Sequence, residues 1–123
     1  MDLHQSKTPR ARIAWLSPDK AAFGAAAPQF ANAGYELSEN GGPRAEIAVV
    51  DFRARRANAK TASRLAALVR RKAPECSLLY LAPPFSPAPE RAHLRRSGDL
   101  VLCDDDLRPA IEACRQRLRI RNV

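Results

Sequence analysis

The sequence predicts an α/β fold, a five-stranded parallel sheet with helices on both faces. Three observations predict it. Strand-like and helix-like segments alternate along the 123 residues in the order βα five times over, with a degenerate second helix. The run Ile47-Ala48-Val49-Val50 carries no polar residue, the pattern of a parallel strand covered on both faces. It ends in Asp51, followed by a loop and a helix, which places a carboxylate at the carboxyl edge of the sheet, where open α/β folds carry out their chemistry.

Each element follows from local pattern. Residues 1–10 are polar, contain Pro9 and show no period; they are expected to be a flexible lead-in to a single domain spanning 11–123. Residues 11–17 (ARIAWLS) form a short apolar strand, stopped by Ser17-Pro18-Asp19. A helix over 19–33 places Phe23, Ala27 and Phe30 on one face, and Pro28 inside it is expected to kink or divide it. Gly34 is a good helix terminator, and 35–38 alternates like an edge strand. Asn40-Gly41-Gly42-Pro43 is turn material and leaves little room for a second helix. The third strand, 46–52, is the most continuously apolar and should be central. Residues 58–72 read as a strong helix with Ala62, Leu65, Ala66 and Val69 on one face, ended by Pro74. A fourth strand, 77–81, is buried on both faces. It leads into Ala82-Pro83-Pro84-Phe85-Ser86-Pro87-Ala88-Pro89, a stiff connection with four prolines. A short basic helix over 90–96 ends at Gly98, and 100–103 is the fifth strand. Asp104-Asp105-Asp106 can cap a last helix whose buried stripe is Leu107, Ile111, Cys114 and Leu118.

Composition narrows the function classes. A chain of this length buries a core without disulfides or metal. Cys76, Cys103 and Cys114 are odd in number and have no metal-ligand spacing; Cys103 and Cys114 sit in apolar patterns as small core residues. No stretch approaches the roughly 18 apolar residues of a membrane helix, so no membrane insertion is expected. The opening residues lack a secretion-signal pattern, and the cytoplasm is the expected location. Net charge is +8, mostly from arginines gathered at 53–56, 64–72, 91–96 and 115–121. No aromatic residues interleave with them, so solvated helix faces are preferred to a nucleic-acid surface. There is no GxGxxG and no GxxxxGK[ST], and neither His4 nor His93 stands in context with a nucleophile. Trp15 in the first strand is read as core, with the floor of a pocket as the alternative.

Five βα units with Asp closing the third strand resemble the receiver domain of two-component signalling, over residues 12–119. The resemblance rests on element order and on the string Ile47-Ala48-Val49-Val50-Asp51-Phe52-Arg53. It implies a flavodoxin-like, doubly wound sheet in the order 2-1-3-4-5. It also implies a site at the carboxyl edge. There an acidic pair after strand one holds Mg²⁺ and the strand-three Asp takes a phosphoryl group. A Ser or Thr ends strand four, and a Lys ends strand five. The metal and the lysine neutralise charge on the phosphoryl oxygens, and the hydroxyl accepts their shift.

Carried onto this chain, the phosphoacceptor position is Asp51. The acidic pair falls on Ser17-Pro18, with Asp19 one step beyond as a lone carboxylate and a poor Mg²⁺ site. The hydroxyl position falls on Ala82. The lysine position falls on Asp104 or Asp105, which reverses the charge. The resemblance therefore implies a degenerate receiver, or pseudo-receiver, whose Asp51 is the inactive equivalent of a phosphoacceptor. Sharing of a divalent ion between Asp51 and the 104–106 triplet is the weaker alternative to capping.

The expected function is a non-enzymatic regulatory or protein-interaction domain of bacterial signal transduction, with no catalytic residue, no cofactor and no resident metal. The chain is expected to be the amino-terminal part of a longer signalling protein. Its partner, or a second copy of itself, is expected on the face of the fourth helix, fifth strand and fifth helix, through Arg91, Leu94, Arg95, Leu107 and Glu112. One alternative is a sensor of cyclic di-GMP or another anionic nucleotide. Arg96-Ser97-Gly98-Asp99 fits an RxxD pattern in which Arg95 or Arg96 engages guanine and Asp99 accepts from it. A second alternative is a working receiver phosphorylated on Asp51.

Overall fold

The structure is a computed structural model and describes residues 11–39, 45–53, 59–96, 98 and 100–121. The expected lead-in, 1–10, and the turn at 40–44 lie outside the described residues. In chain order the elements are β1 (Ala11–Leu16), α1 (Lys20–Asn32), β2 (Tyr35–Glu39), β3 (Ile47–Asp51), α2 (Ala59–Lys72), β4 (Ser77–Ala82), α3 (Ala88–Arg95), β5 (Leu100–Cys103) and α4 (Arg108–Arg121). Among the described residues no helix stands between β2 and β3, in line with the degenerate second unit.

The five strands form one parallel sheet in the order β2-β1-β3-β4-β5. The arrangement is the flavodoxin-like one expected from the resemblance. β3 is central, and all five of its residues are buried. β2 lies at one edge, with Arg12 of β1 reaching across to Glu36 at 3.2 Å. That pair is half exposed and contributes little.

Alternation along the strands splits the core between the two sheet faces. Ala14, Leu16, Ala48, Val50, Leu78, Tyr80 and Val101 pack with Ala62, Ala66 and Val69 of α2 and Leu94 of α3. Ile13, Trp15, Ile47, Val49, Leu79 and Leu81 pack with Ala26 and Phe30 of α1 and with Leu107, Ala110, Cys114 and Leu118 of α4. Each face holds one edge-to-face aromatic pair: Phe52–Tyr80 with centroids 6.3 Å apart, and Trp15–Phe30 at 6.1 Å. Trp15 is thus core, not the floor of a pocket. Its indole N–H is buried with no partner among the described residues. Burial pushes the Cys114 thiol up to about 12, as expected of a small core residue. Cys103 is only half buried, at the margin of the α2/α3 side.

Pro28 does not divide the first helix, which runs unbroken from Lys20 to Asn32. The proline and Gly24, four residues before it, both lie on the exposed side. The carbonyl released by the missing N–H therefore faces water rather than core. The helix buries Ala26 and Phe30, while Phe23 and Ala27 are half buried; the apolar face is rotated slightly from the expected one. Gly34 ends the turn with φ of 93°, a conformation other residues rarely adopt.

Gly98 is needed for a different reason. A Cβ there would lie 2.5 Å and 2.7 Å from ring atoms of Tyr80. Tyr80 is fully buried and held against Phe52, so the ring cannot swing aside. Gly98→Ala is expected to lower the unfolding free energy by about 1–3 kcal/mol through overpacking. Urea denaturation followed by circular dichroism measures it, and an unchanged midpoint would show that the ring yields.

Candidate functional site

The carboxyl edge of the sheet gathers the ends of β1, β3, β4 and β5, so Ser17, Asp51, Ala82 and Asp104 meet there by topology alone. Asp51 is the one buried charged residue among those described, at 3% exposure. A carboxylate so placed must be met by hydrogen-bond donors, because an unanswered buried charge costs several kcal/mol.

The donors come from two directions. Two residues along the same chain, the Arg53 amide donates to Asp51 Oδ1 at 3.1 Å, and Arg53 Nε donates to the same oxygen at 2.7 Å. The Ser17 hydroxyl, at the end of β1, donates to Oδ2 at 3.3 Å. Arg53 does not stop at the carboxylate. Its Nη1 donates to the backbone carbonyl of Asp105 at 2.8 Å, tying the end of β3 to the loop between β5 and α4. The two side chains of the ion pair are 17% and 4% exposed, so the pair is screened far less than a surface pair.

Three of the other carboxylates near this edge, Asp19, Asp104 and Asp106, are engaged with nearby backbone, while Asp105 is exposed. Asp19 Oδ1 accepts from the Ala21 amide at 3.0 Å and caps α1. The Asp19 amide in turn donates to Ser17 Oγ at 3.1 Å, which orients the hydroxyl toward Asp51. Asp104 Oδ1 accepts from the Asp106 amide at 2.9 Å. Asp106 accepts from the Arg108 amide and holds the Arg108 guanidinium at 2.6 Å. That hydrogen bond keeps the Asp106 carboxyl below its ordinary range and raises Arg108 above its own. Within the triplet Asp106 meets the first amide of α4, and Asp104 meets the amide of Asp106.

A Mg²⁺ ion at such an edge needs several oxygen ligands in near-octahedral array. The residues present do not fit it. The oxygens of Asp51 already carry a hydroxyl, an amide and a guanidinium, and the guanidinium stands where a cation would be repelled. Among the described residues no three His, Cys, Asp or Glu side chains converge.

Other residues singled out by sequence fall as follows. Ala82 is fully buried and offers no hydroxyl. Arg95 and Arg96 are exposed at the end of α3, Arg91 is half buried, and Asp99 lies outside the described residues. Leu94 and Leu107 correct the expectation that they supply apolar contact on an interaction face. Leu94 is 0% and Leu107 5% exposed, and they belong to the two separate cores beneath α3 and α4. Glu112 is exposed and paired with Arg115 at 3.1 Å. Sequence reasoning missed the role of Arg53. The signal was its place two residues after a strand-ending Asp, close enough for amide and side chain to return to one carboxylate oxygen.

No family model matches the sequence, and no curated protein sequence matches it. Solved structures do match. The chain is similar to a CheY-like response-regulator receiver domain from Methanospirillum hungatei JF-1, with TM-score 0.70, 13% identity, and coverage of 93% of this chain and 98% of that one. It is similar to an orphan response regulator of H. pylori, with TM-score 0.66, 12% identity, and coverage of 89% and 99%. A third likeness is to a response regulator of Thermotoga maritima in complex with Mg²⁺ and BeF, with TM-score 0.64, 12% identity, and coverage of 86% and 97%. The fold is that of receiver domains.

The coupling of Asp51 to Arg53 is open to a double-mutant cycle. Arg53→Ala removes a charged donor from a buried carboxylate and is expected to cost about 1–3 kcal/mol of stability. Adding Asp51→Asn to Arg53→Ala is expected to restore part of that loss, since no unanswered charge remains. Strictly additive losses in urea denaturation would show that the two side chains are not coupled.

Proposed function

We propose that this chain is a receiver-like domain of signal transduction that works without phosphotransfer, as a non-enzymatic module for protein contact. The observation that carries this reading is the Arg53 guanidinium seated on Asp51 Oδ1 at 2.7 Å. A carboxylate that attacks a phosphoryl donor needs a free oxygen lone pair and a nearby cation to take the developing charge. Here both oxygens are engaged, and the cation is engaged with Asp51 and the Asp105 carbonyl. A phosphoryl group on Asp51 would also stand near Asp104 and Asp105, where receivers have an ammonium. The same contacts join β1, β3 and the β5–α4 loop, which favours one fixed arrangement of this edge over a switch between two.

Contact through α3, β5 and α4 is the expected output. Those elements leave Arg95, Arg96 and Glu112 exposed beside an edge strand. With Leu94 and Leu107 in the core, apolar contact on this face must come from other residues. The cyclic di-GMP reading rests on Arg95, Arg96 and Asp99, of which Arg95 and Arg96 are exposed and Asp99 lies outside the described residues.

Incubation with acetyl phosphate and Mg²⁺, read by intact-mass spectrometry, tests the reading. No stable phosphoryl adduct is expected on the wild-type chain. A stoichiometric adduct that disappears in Asp51→Asn would restore the working-receiver alternative. Titration with cyclic di-GMP in a calorimeter is expected to show no saturable binding, and saturable binding abolished by Arg96→Ala would favour the nucleotide sensor instead.

A further inference from the structure

We infer that the turn at 83–86 is an anchor for a protein partner, with Phe85 entering an apolar pocket whose rim carries carboxylates. The inference rests on the protein-contact reading and adds to it the anchoring residue and the chemistry of the partner.

Phe85 is 94% exposed, against 48% for Leu68, the other large apolar side chain exposed among the described residues. The loop that presents it is held in shape. The Ser86 amide donates to the Pro83 carbonyl at 3.2 Å and closes a turn, and the Ser86 hydroxyl donates to the same oxygen at 2.9 Å. Pro83 and Pro84 fix φ before Phe85. After it, Pro87 is extended (φ −62°, ψ 147°), and its carbonyl accepts from the Arg91 amide at 3.1 Å as α3 begins. The backbone under Phe85 thus has little freedom left to lose on binding, which removes a large part of the usual ordering cost. The gain from burying a phenylalanine side chain is left unrealised in the isolated chain.

The surroundings specify the partner. Pro84, Pro87, Ala88, Pro89 and Ala92, close to Phe85 in sequence, are also exposed, with the half-buried Glu90 and Arg91 among them. The exposed cations of α3 and its end stand farther along, at Arg95 and Arg96. An apolar centre with cations to one side is complementary to an apolar pocket with acidic groups on its rim. A second copy of this chain is disfavoured, because two chains of charge +8 repel. Recognition as a polyproline helix is disfavoured as well, since the Pro83–Ser86 hydrogen bond makes a reverse turn where that mode needs an extended backbone.

The test places a photo-crosslinking phenylalanine analogue, p-benzoylphenylalanine, at position 85 of the full chain in cells. Separate chains carry it at positions 95 and 112. The protein joined at position 85 is identified, purified and titrated with wild-type chain, Phe85→Ser, Phe85→Leu and the pair Arg95→Glu, Arg96→Glu. The expected result is an acidic protein bound roughly 30-fold or more weakly by Phe85→Ser, as for a buried aromatic anchor, with Phe85→Leu intermediate. The charge reversals are expected to weaken binding and flatten its salt dependence. Adducts at 95 or 112 with none at 85, or Phe85→Ser binding as wild type, would overturn the anchor and leave the protein-contact reading standing. Adducts at 85 only with nucleic acid or with another copy of this chain would also overturn it. No adduct at any of the three positions would overturn both.

Discussion

A carboxylate buried at the end of the central strand demands donors, and satisfying Asp51 organises the whole carboxyl edge. Arg53 answers from its own chain, Ser17 from β1, and the remaining reach of Arg53 goes to the backbone between β5 and α4. Three segments distant in sequence are thereby fixed to one side chain. The same pair occupies one carboxylate oxygen and engages the nearby cation, the contact on which the proposed reading rests. Structure and proposed loss of activity follow from a single contact.

The partition of the other charges supports this. Three acidic residues near the edge are each bound to a backbone amide close to them in sequence: Asp19 to Ala21, Asp104 to Asp106, Asp106 to Arg108. Carboxylates turned toward helix starts are not available to converge on an ion. The edge keeps the outline of a receiver site, yet its polar groups serve to cap and tie. Contact surfaces then become the natural place to look for function, and the exposed residues are found on the β4–α3 turn and on α3 itself.

Much of the fold was legible because periodicity carries it. Uninterrupted apolar runs identified β3 and β4, and the stripe of Leu107, Ile111, Cys114 and Leu118 identified the inner face of α4. Sheet order came from the resemblance to receivers, not from pattern. Of the two outcomes expected of Pro28, division did not occur, since whether a proline interrupts a helix depends on its tertiary surroundings. Leu94 misled for a similar reason, since on a short amphipathic stretch the boundary between core and surface shifts by a residue or two, whereas Leu107, read both as buried stripe and as contact residue, is buried. Asp51 was placed correctly at the edge by its position after an apolar run. The pairing with Arg53 was hinted at only by its spacing from Asp51, since a side chain's return to its own strand end also depends on a backbone turn that composition does not report.

The two outer strands of the sheet differ in how they guard their free backbone groups. β2 carries Glu36 and Glu39, charges that discourage another chain from adding alongside. β5 is Leu-Val-Leu-Cys, four residues without a charge, the kind of segment that invites aggregation while a parallel sheet assembles slowly from distant pieces. Immediately after it come three aspartates in a row. The triplet that caps α4 therefore also acts as a gatekeeper, keeping the one bare edge short and its end repulsive to a like neighbour.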